Sequence, residues 1–271
     1  MAFIQLKTYA KTLRTKTNVQ VILPTPLASE TMYGETGFRY YDKSKLCPVL
    51  YLLHGTFGDE GDWTRFSMIE TYAQAYNVAI VMPQAANSCY RDMPRGGPQY
   101  YTYITQELPA MIRWMFPISD RREDTFIAGL SMGGSGAFKI GMSKPDQYGY
   151  VASLSGGFSE LTEKIKNDSE SAWALAFKPD EKLNGTIDDP FWLASQLIES
   201  KVDYPKFYMC CGTEDFLYPA NCQFKNHLDK IGLAYDYHEQ HGVHDWIFWN
   251  DEIQRVFEWL PIEKRFSGSQ M

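Results

Sequence analysis

Short, continuous apolar segments recur along the chain and predict the buried strands of a sheet. Such runs are typical of central strands that are covered on both faces. The predicted strands span residues 48–53, 78–82, 125–128, 149–155, 206–211 and 235–239. Segments with the apolar spacing of amphipathic helices lie between them, at 65–76, 99–115, 134–142, 217–231 and 245–259. This alternation indicates an α/β fold with a mostly parallel sheet and helices on both faces.

The two ends of this pattern are less regular. Residues 2–10 and 18–23 also read as strands, and the polar residues 27–46 are expected to form a hairpin or loop. Residues 156–200 interrupt the alternation and predict a small helical insertion that covers the strand ends as a cap. No repeat or linker is visible, so residues 1–271 are expected to form a single domain.

Charge and composition narrow the class of protein. The net charge of −7 argues against nucleic acid or an anionic membrane as a partner, and 44% hydrophobic residues with 22% charged residues are ordinary for a globular protein. No secretory signal or bilayer-spanning segment is visible. A cytoplasmic location is therefore expected, although a processed secreted protein would also lack its signal. The five cysteines lack metal-ligand spacing and are expected to be reduced.

The most informative local pattern is Gly129-Leu-Ser-Met-Gly133, placed between a predicted strand and a predicted helix. In that context a G-x-S-x-G sequence is typical of a nucleophile elbow, in which the serine projects from a sharp turn. Ser131 is then the candidate nucleophile, and the amide of Met132 at the helix start can face a developing oxyanion. The alternative is a plain Gly/Ser-rich turn, but the strand before it and the helix after it favour the elbow.

A nucleophilic serine needs a histidine base, and the order along such sheets is serine, acid, histidine. His227 lies in a predicted helix and His238 in a predicted strand, so both are expected to be structural. His241 and His244 share the loop after the last strand. His244 precedes the final helix and is favoured as the base, whereas His241 is expected to pack or cap.

Asp215 is the candidate acid, because it follows the strand that ends at residue 211, one strand before the histidine loop. The neighbouring Glu214 is expected to point elsewhere, and Asp245 cannot readily fold back onto the adjacent base. A helix N-cap ahead of residues 217–231 is the alternative role for Asp215.

Substrate contacts are expected from two loops. The loop that begins with His54 and Gly55 ends a central strand, and the amide of Thr56 is the predicted second oxyanion donor, with Phe57 as the fallback. His54 and Phe57 are candidates for binding substrate. In the 156–200 segment, Trp173 and Trp192 are further candidates for the wall of the acyl pocket, although ordinary packing of the cap would account for them equally well.

Several sequence blocks together resemble the esterase D-like α/β-hydrolases. This family includes S-formylglutathione hydrolases, tributyrin and feruloyl esterases and mycolyltransferases, and the resemblance is strongest to small bacterial tributyrin esterases. The blocks occur in the same order over nearly the whole chain. They are Leu-Leu-His-Gly at 52–55, Ile-Val-Met-Pro at 80–83, Tyr-Tyr at 100–101, Glu-Leu-Pro at 107–109, Phe-Ile-Ala-Gly-Leu-Ser-Met-Gly-Gly at 126–134, Cys-Gly-Thr-Glu-Asp at 211–215 and His-Asp-Trp-Ile-Phe-Trp at 244–249.

The resemblance implies an α/β-hydrolase that cleaves short-chain acyl esters with Ser131, Asp215 and His244, without a metal or organic cofactor. It also implies frequent homo-oligomerisation and a small ester as the partner. The alternatives are a feruloyl or acetyl-sugar esterase, an S-formylglutathione-type thioesterase, an acyltransferase, or a catalytically silent binding protein on the same scaffold.

Overall fold

The computed structural model describes residues 1–26, 46–158, 170–178 and 181–265. Within these ranges the chain forms an eight-stranded sheet. The strands are β1 (Ala2–Ala10), β2 (Thr15–Leu23), β3 (Val49–Leu53), β4 (Ala79–Pro83), β5 (Thr125–Leu130), β6 (Tyr150–Leu154), β7 (Lys206–Gly212) and β8 (Asp236–Gln240). Their order across the sheet is β1-β2-β4-β3-β5-β6-β7-β8. β1 and β2 are antiparallel to their neighbours, and every pairing from β4 to β8 is parallel.

Helices cover both faces of this sheet. They are α1 (Asp62–Phe66), α2 (Ile69–Tyr76), α3 (α-helical over Tyr100–Thr102, π-helical over Tyr103–Glu107 and α-helical again over Leu108–Met115), α4 (Met132–Ser143), α5 (Pro190–Ser200), α6 (Tyr218–Ile231) and α7 (Trp246–Trp259). Buried side chains of α3, α4, α5 and α6 pack on one face. Those of α1, α2 and α7 pack on the other. The predicted mostly parallel sheet with helices on both faces is confirmed.

Burial on both faces explains why the strands near the sheet centre have continuously apolar sequences. Every residue of β3, β4 and β5 is buried, because helices cover both sides of these strands. Parallel strands end at the same edge, so the loops after β3, β5 and β7 meet there, together with the loop after β8. No helix in the described ranges is both long and apolar enough to cross a bilayer.

The single helix predicted over 65–76 is wrong, because the structure has two helices separated at Ser67. Ser67 is extended, its hydroxyl donates to the carbonyl of Trp63, and the same oxygen accepts the amide of Ile69. Serine side chains compete in this way with helical hydrogen bonds, which explains the break.

Helix α3 is distorted next to Pro109, where a π-helical turn precedes the proline. Proline has no N–H, so the carbonyl of Thr105, four residues earlier, loses its usual α-helical donor. The side chain of Gln147 donates to that carbonyl at 3.1 Å.

The predicted insertion at 156–200 is only partly described, since residues 159–169 and 179–180 lie outside the described ranges. Its last part is α5, which buries Leu193, Ala194 and Leu197 against the same core as α4 and α6. Within the described ranges, α5 therefore belongs to the helix layer of the sheet.

Gly133 offers a test of how tightly α4 packs on the strand ends. A Cβ atom at this position would lie 2.6 Å from the carbonyl oxygens of both Leu53 and His54. We expect Gly133→Ala to lower the free energy of unfolding by about 1–3 kcal/mol, because backbone atoms must shift to make room. Urea denaturation would measure this. Gly157→Ala is the matched control, since the nearest atom there is 3.8 Å away; equal denaturation midpoints for the two variants would contradict the close packing.

Candidate active site

Ser131 lies at the sharp turn between β5 and α4. Its backbone has φ 52° and ψ −118°, a conformation that costs a residue with a side chain roughly 1–3 kcal/mol. The turn is held by the Ser131 amide, which donates to the carbonyl of Leu154 at 2.9 Å. The neighbouring glycines let the helix approach the strand, since a Cβ at Gly129 would lie 2.5 Å from the backbone of Gly133. The turn therefore has the geometry of the predicted elbow.

Three side chains from three loops form a continuous hydrogen-bonded line. Nε2 of His244 lies 3.0 Å from Oγ of Ser131, and Nδ1 of His244 lies 2.8 Å from Oδ2 of Asp215. A carboxylate only accepts, so Nδ1 carries the proton and Nε2 is left to accept from the serine hydroxyl. This arrangement can pass the proton of Ser131 to His244.

Asp215 is held as an anion inside the protein. Its side chain is fully buried, and its second oxygen, Oδ1, accepts the amide of Leu217 at 2.8 Å. Burial alone raises the pKa of Asp215, but the hydrogen bonds from His244 and Leu217 outweigh burial and place the pKa below its ordinary value. Leu217 is the N-cap residue of α6 and no side chain caps this helix, so the alternative role of Asp215 as a helix N-cap is wrong, and its bond to the Leu217 amide lies ahead of the helix.

The other histidines lie elsewhere, as the sequence indicates. His241 is almost fully exposed and pairs with Glu214 at 2.8 Å, while Glu214 also accepts the amide of Gly242. His238 pairs with the buried Glu252. His227 contacts Ser195 and the carbonyl of Phe191 between α5 and α6. Asp245 caps α7 by accepting the amide of Phe248.

The backbone amides of two residues at the cavity beside Ser131 are candidates for oxyanion donors. Thr56 and Met132 both line it, and neither amide has an acceptor within the described part of the chain. The amide of Phe57 is different, because it donates to Oδ1 of Asn87 at 2.8 Å. The geometry therefore offers Thr56 rather than Phe57 as the partner of Met132 in an oxyanion hole.

His54 does not line the cavity. Its side chain is buried, Nε2 accepts the amide of Ala85 at 2.9 Å, and Nδ1 donates to the carbonyl of Gly55 at 2.7 Å. Burial lowers the pKa of His54 and favours the neutral ring. Both ring nitrogens are occupied, so the structure places His54 as a support for the loop, away from any substrate.

The loop after β4 braces the loop after β3 at three points. Besides the contacts of Ala85 and Asn87, the hydroxyl of Tyr90 donates to the carbonyl of His54 at 2.8 Å. Phe57 has a φ of 66°, which a residue with a side chain adopts only under restraint. Sequence reasoning gave Asn87 and Tyr90 no role. The only available signal was their place after a buried strand at the same sheet edge.

The cavity at Ser131 has a volume of about 340 Å³. Trp173 lines it and lies near the exposed ring of Phe57, with ring centroids 6.3 Å apart. Trp192 lies on α5, 37% exposed, and is not among the residues that line the cavity. The lining also includes Phe177, Ile187, Phe216, Leu217, Trp246 and Trp249. Its surface is therefore largely apolar.

The described residues contain no group of three or more His, Cys, Asp or Glu side chains that could hold a metal ion. The five cysteines carry free thiols. Cys89 lies at the cavity, and burial raises its pKa to about 11, so this thiol is protonated at neutral pH.

Comparison with known proteins assigns this chain to a family. Residues 11–260 match the model of the family described as "Putative esterase". The chain belongs to this esterase family. A curated acetyl esterase from Caldicellulosiruptor saccharolyticus is 33% identical over 267 residues, covering 96% of this chain and 98% of that protein. The predicted enzyme class, a serine hydrolase acting on carboxylic esters, is confirmed.

Solved structures of related esterases agree with the fold. The fluorophosphonate-binding serine hydrolase FphF of Staphylococcus aureus superposes with a TM-score of 0.84 at 30% identity, covering 96% of this chain and 98% of that chain. The S-formylglutathione hydrolase FrmB of Staphylococcus aureus gives a TM-score of 0.82 at 30% identity, with the same coverage of both chains. The predicted α/β-hydrolase fold is confirmed.

The brace between the two loops of this esterase can be tested at Asn87. We expect Asn87→Ala to lower kcat about tenfold, because the Phe57 amide loses its acceptor and the loop carrying Thr56 relaxes. Asn87→Asp keeps an acceptor oxygen and should retain most of the activity. Steady-state kinetics on a short acyl ester would show the change in kcat with KM nearly constant. Equal kcat for Asn87→Ala and the parent enzyme would contradict the role of the brace.

Proposed function

We propose that this protein is a serine carboxylesterase that hydrolyses short-chain acyl esters through an acyl-enzyme intermediate. The observation that carries the proposal is the hydrogen-bonded line from Asp215 through His244 to Ser131, which ends at a strained turn beside an apolar cavity. Family membership and the identity to an acetyl esterase support the same reaction.

The first half of the proposed reaction forms the acyl-enzyme. Oγ of Ser131 attacks the ester carbonyl carbon while its proton passes to Nε2 of His244. The carbonyl oxygen becomes an oxyanion, which the amides of Thr56 and Met132 stabilise by roughly 3 kcal/mol each. His244 then gives the proton to the leaving alcohol oxygen as the carbon–oxygen bond breaks.

The second half returns the free enzyme. Nε2 of His244 takes a proton from water, and the resulting hydroxide attacks the acyl carbonyl through the same oxyanion geometry. The bond to Ser131 breaks, and Oγ recovers the proton from His244. Asp215 stays ionised throughout and fixes Nδ1 of His244 as the protonated nitrogen.

We also propose that described residues ahead of α5 act as the cap over the cavity. Trp173, Phe177 and Ile187 contribute apolar side chains to its lining. They bound the space available to a substrate, so long acyl chains meet this wall. The cytoplasmic location and the self-association expected for the family remain predictions.

The roles of Ser131 and the two loop histidines make a ranked prediction. Ser131→Ala and His244→Ala should each reduce hydrolysis of a butyryl ester by at least about 10⁴-fold. His241→Ala is the matched control, because it removes a histidine from the same loop, and that histidine pairs with the exposed Glu214. It should remain within about threefold of the parent. Initial rates with circular dichroism as a check on folding would measure this, and the reverse ranking would show that the wrong histidine had been assigned.

Acyl-chain length provides a second test. Each added methylene contributes ~0.8 kcal/mol of binding only while the pocket has room for it. The cavity of about 340 Å³ is small, so activity should be high for acetyl and butyryl esters and fall steeply for long chains. Rates across a p-nitrophenyl ester series would show this pattern. A maximum at twelve carbons or beyond would mean that the pocket is open-ended and the cap does not limit it.

A further inference from the structure

One wall of the cavity follows helix α4 away from Ser131. Ser135 and Lys139 both line the cavity and are spaced four residues apart, so they lie on the helix face that begins at Ser131. Lys139 lies eight positions after Ser131 in the sequence, which corresponds to ~12 Å of helix. Helical side chains lean toward the N-terminus, so the Lys139 side chain points back along this wall. The wall of the cavity formed by α4 therefore carries the charged side chain of Lys139, away from Ser131.

The ammonium group of Lys139 has one donor to spare. Its residue is only 7% exposed, and Nζ donates to the carbonyl of Cys89 at 2.7 Å and to Oδ1 of Asp188 at 3.0 Å. An ammonium group carries three N–H donors. Within the described ranges no acceptor meets the third, and Lys139 is one of the residues that line the cavity.

Charges of both signs surround Lys139 in the described part of the chain. Arg91 pairs with both Glu181 and Asp188, and Lys139 pairs with Asp188, so two cations face two carboxylates. Burial alone raises the pKa of Asp188, but the neighbouring cations outweigh it and lower that pKa, and the hydrogen bond from Arg91 lowers the pKa of Glu181. Both acids are ionised, so an additional anion would lie beside two carboxylates as well as the two cations. A neutral acceptor oxygen fits this site better than a carboxylate.

We propose that Lys139, supported by Asp188, forms a polar subsite that binds a hydroxyl or carbonyl oxygen on the substrate, away from the ester group. This inference rests on the proposed esterase function and specifies its substrate class: small esters with a neutral polar oxygen near the end of the acyl or the alcohol chain. A purely alkyl chain that reaches the subsite displaces water from Lys139 without replacing its hydrogen bond. Binding sites with a buried polar group discriminate strongly against analogues that leave this group unpaired.

Matched ester pairs test the subsite in the parent enzyme. On the acyl side, p-nitrophenyl 5-oxohexanoate is compared with p-nitrophenyl hexanoate. On the alcohol side, 6-hydroxyhexyl acetate is compared with hexyl acetate, and both pairs are repeated with chains one and two carbons shorter and longer. We expect kcat/KM to favour the oxygen-bearing ester by about tenfold or more on one of the two sides, as a hydrogen bond to a charged group provides. The side that shows the preference identifies which chain occupies the wall of α4.

Variants of Lys139 assign that preference to its ammonium group. Lys139→Met keeps the length of the aliphatic chain and should abolish the preference, which is measured as the ratio of kcat/KM for the two esters of a pair within the same variant and so does not depend on its overall rate. Lys139→Arg retains a cationic donor and should keep part of the preference. This variant still tests the role of the charge if the methionine variant fails to fold. Lys144→Met is the matched control, since it removes a lysine at the end of the same helix that does not line the cavity.

The outcomes separate the subsite from the reaction itself. Equal kcat/KM within both ester pairs at every chain length would overturn the subsite, and so would a preference that survives in Lys139→Met. Failure to hydrolyse even acetyl and butyryl esters would instead contradict the proposed function. Thermal denaturation of each variant confirms that the compared proteins are folded.

Discussion

The close packing of helix α4 on the ends of β3 and β5 is the constraint on which the site depends. Gly129 and Gly133 have no Cβ atoms, so the two backbones come within contact distance. The chain can turn from strand to helix within one residue only because of this approach, and Ser131 takes the strained conformation at that point. The surrounding structure compensates for the strain, since buried strands on both sides fix the turn. The position of the serine hydroxyl is thus set by backbone packing.

Around this turn, each partner of the serine is fixed by contacts of its own. Asp215 is buried and also accepts a backbone amide, so its carboxylate is oriented before it meets His244. The loop that carries Thr56 is held by two contacts on either side of this residue. The ring of His54 bonds to the carbonyl of Gly55, and Asn87 accepts the amide of Phe57. Groups that are already oriented lose little entropy when the substrate arrives, which is how electrostatic stabilisation remains effective in a small cavity.

Features encoded by neighbouring residues could be predicted from the sequence. The buried strands, the turn at Ser131 and the position of His244, rather than His241, beside it follow from apolar runs, glycine spacing and the order of loops. Features that depend on distant residues could not. The side chain of Asn87 meets a backbone amide 30 residues away, and both ring nitrogens of His54 find partners that local pattern does not show. For the same reason Trp192 suggested a pocket wall, although its helix belongs to the layer that covers the sheet.

The ion pairs of Arg91 and Lys139 have a consequence for how this fold diversifies. Arg91 also donates to the carbonyl of Ala176 and stacks on the ring of Phe177. Arg91 and Lys139 both pair with Asp188, so these two side chains anchor much of the described segment that precedes α5. None of these anchors touches the turn at Ser131. The segment can therefore change its apolar residues while the anchors and the reacting groups stay in place. Among the described residues, the contacts that anchor this segment and those that hold Ser131, Asp215 and His244 are therefore two separate sets.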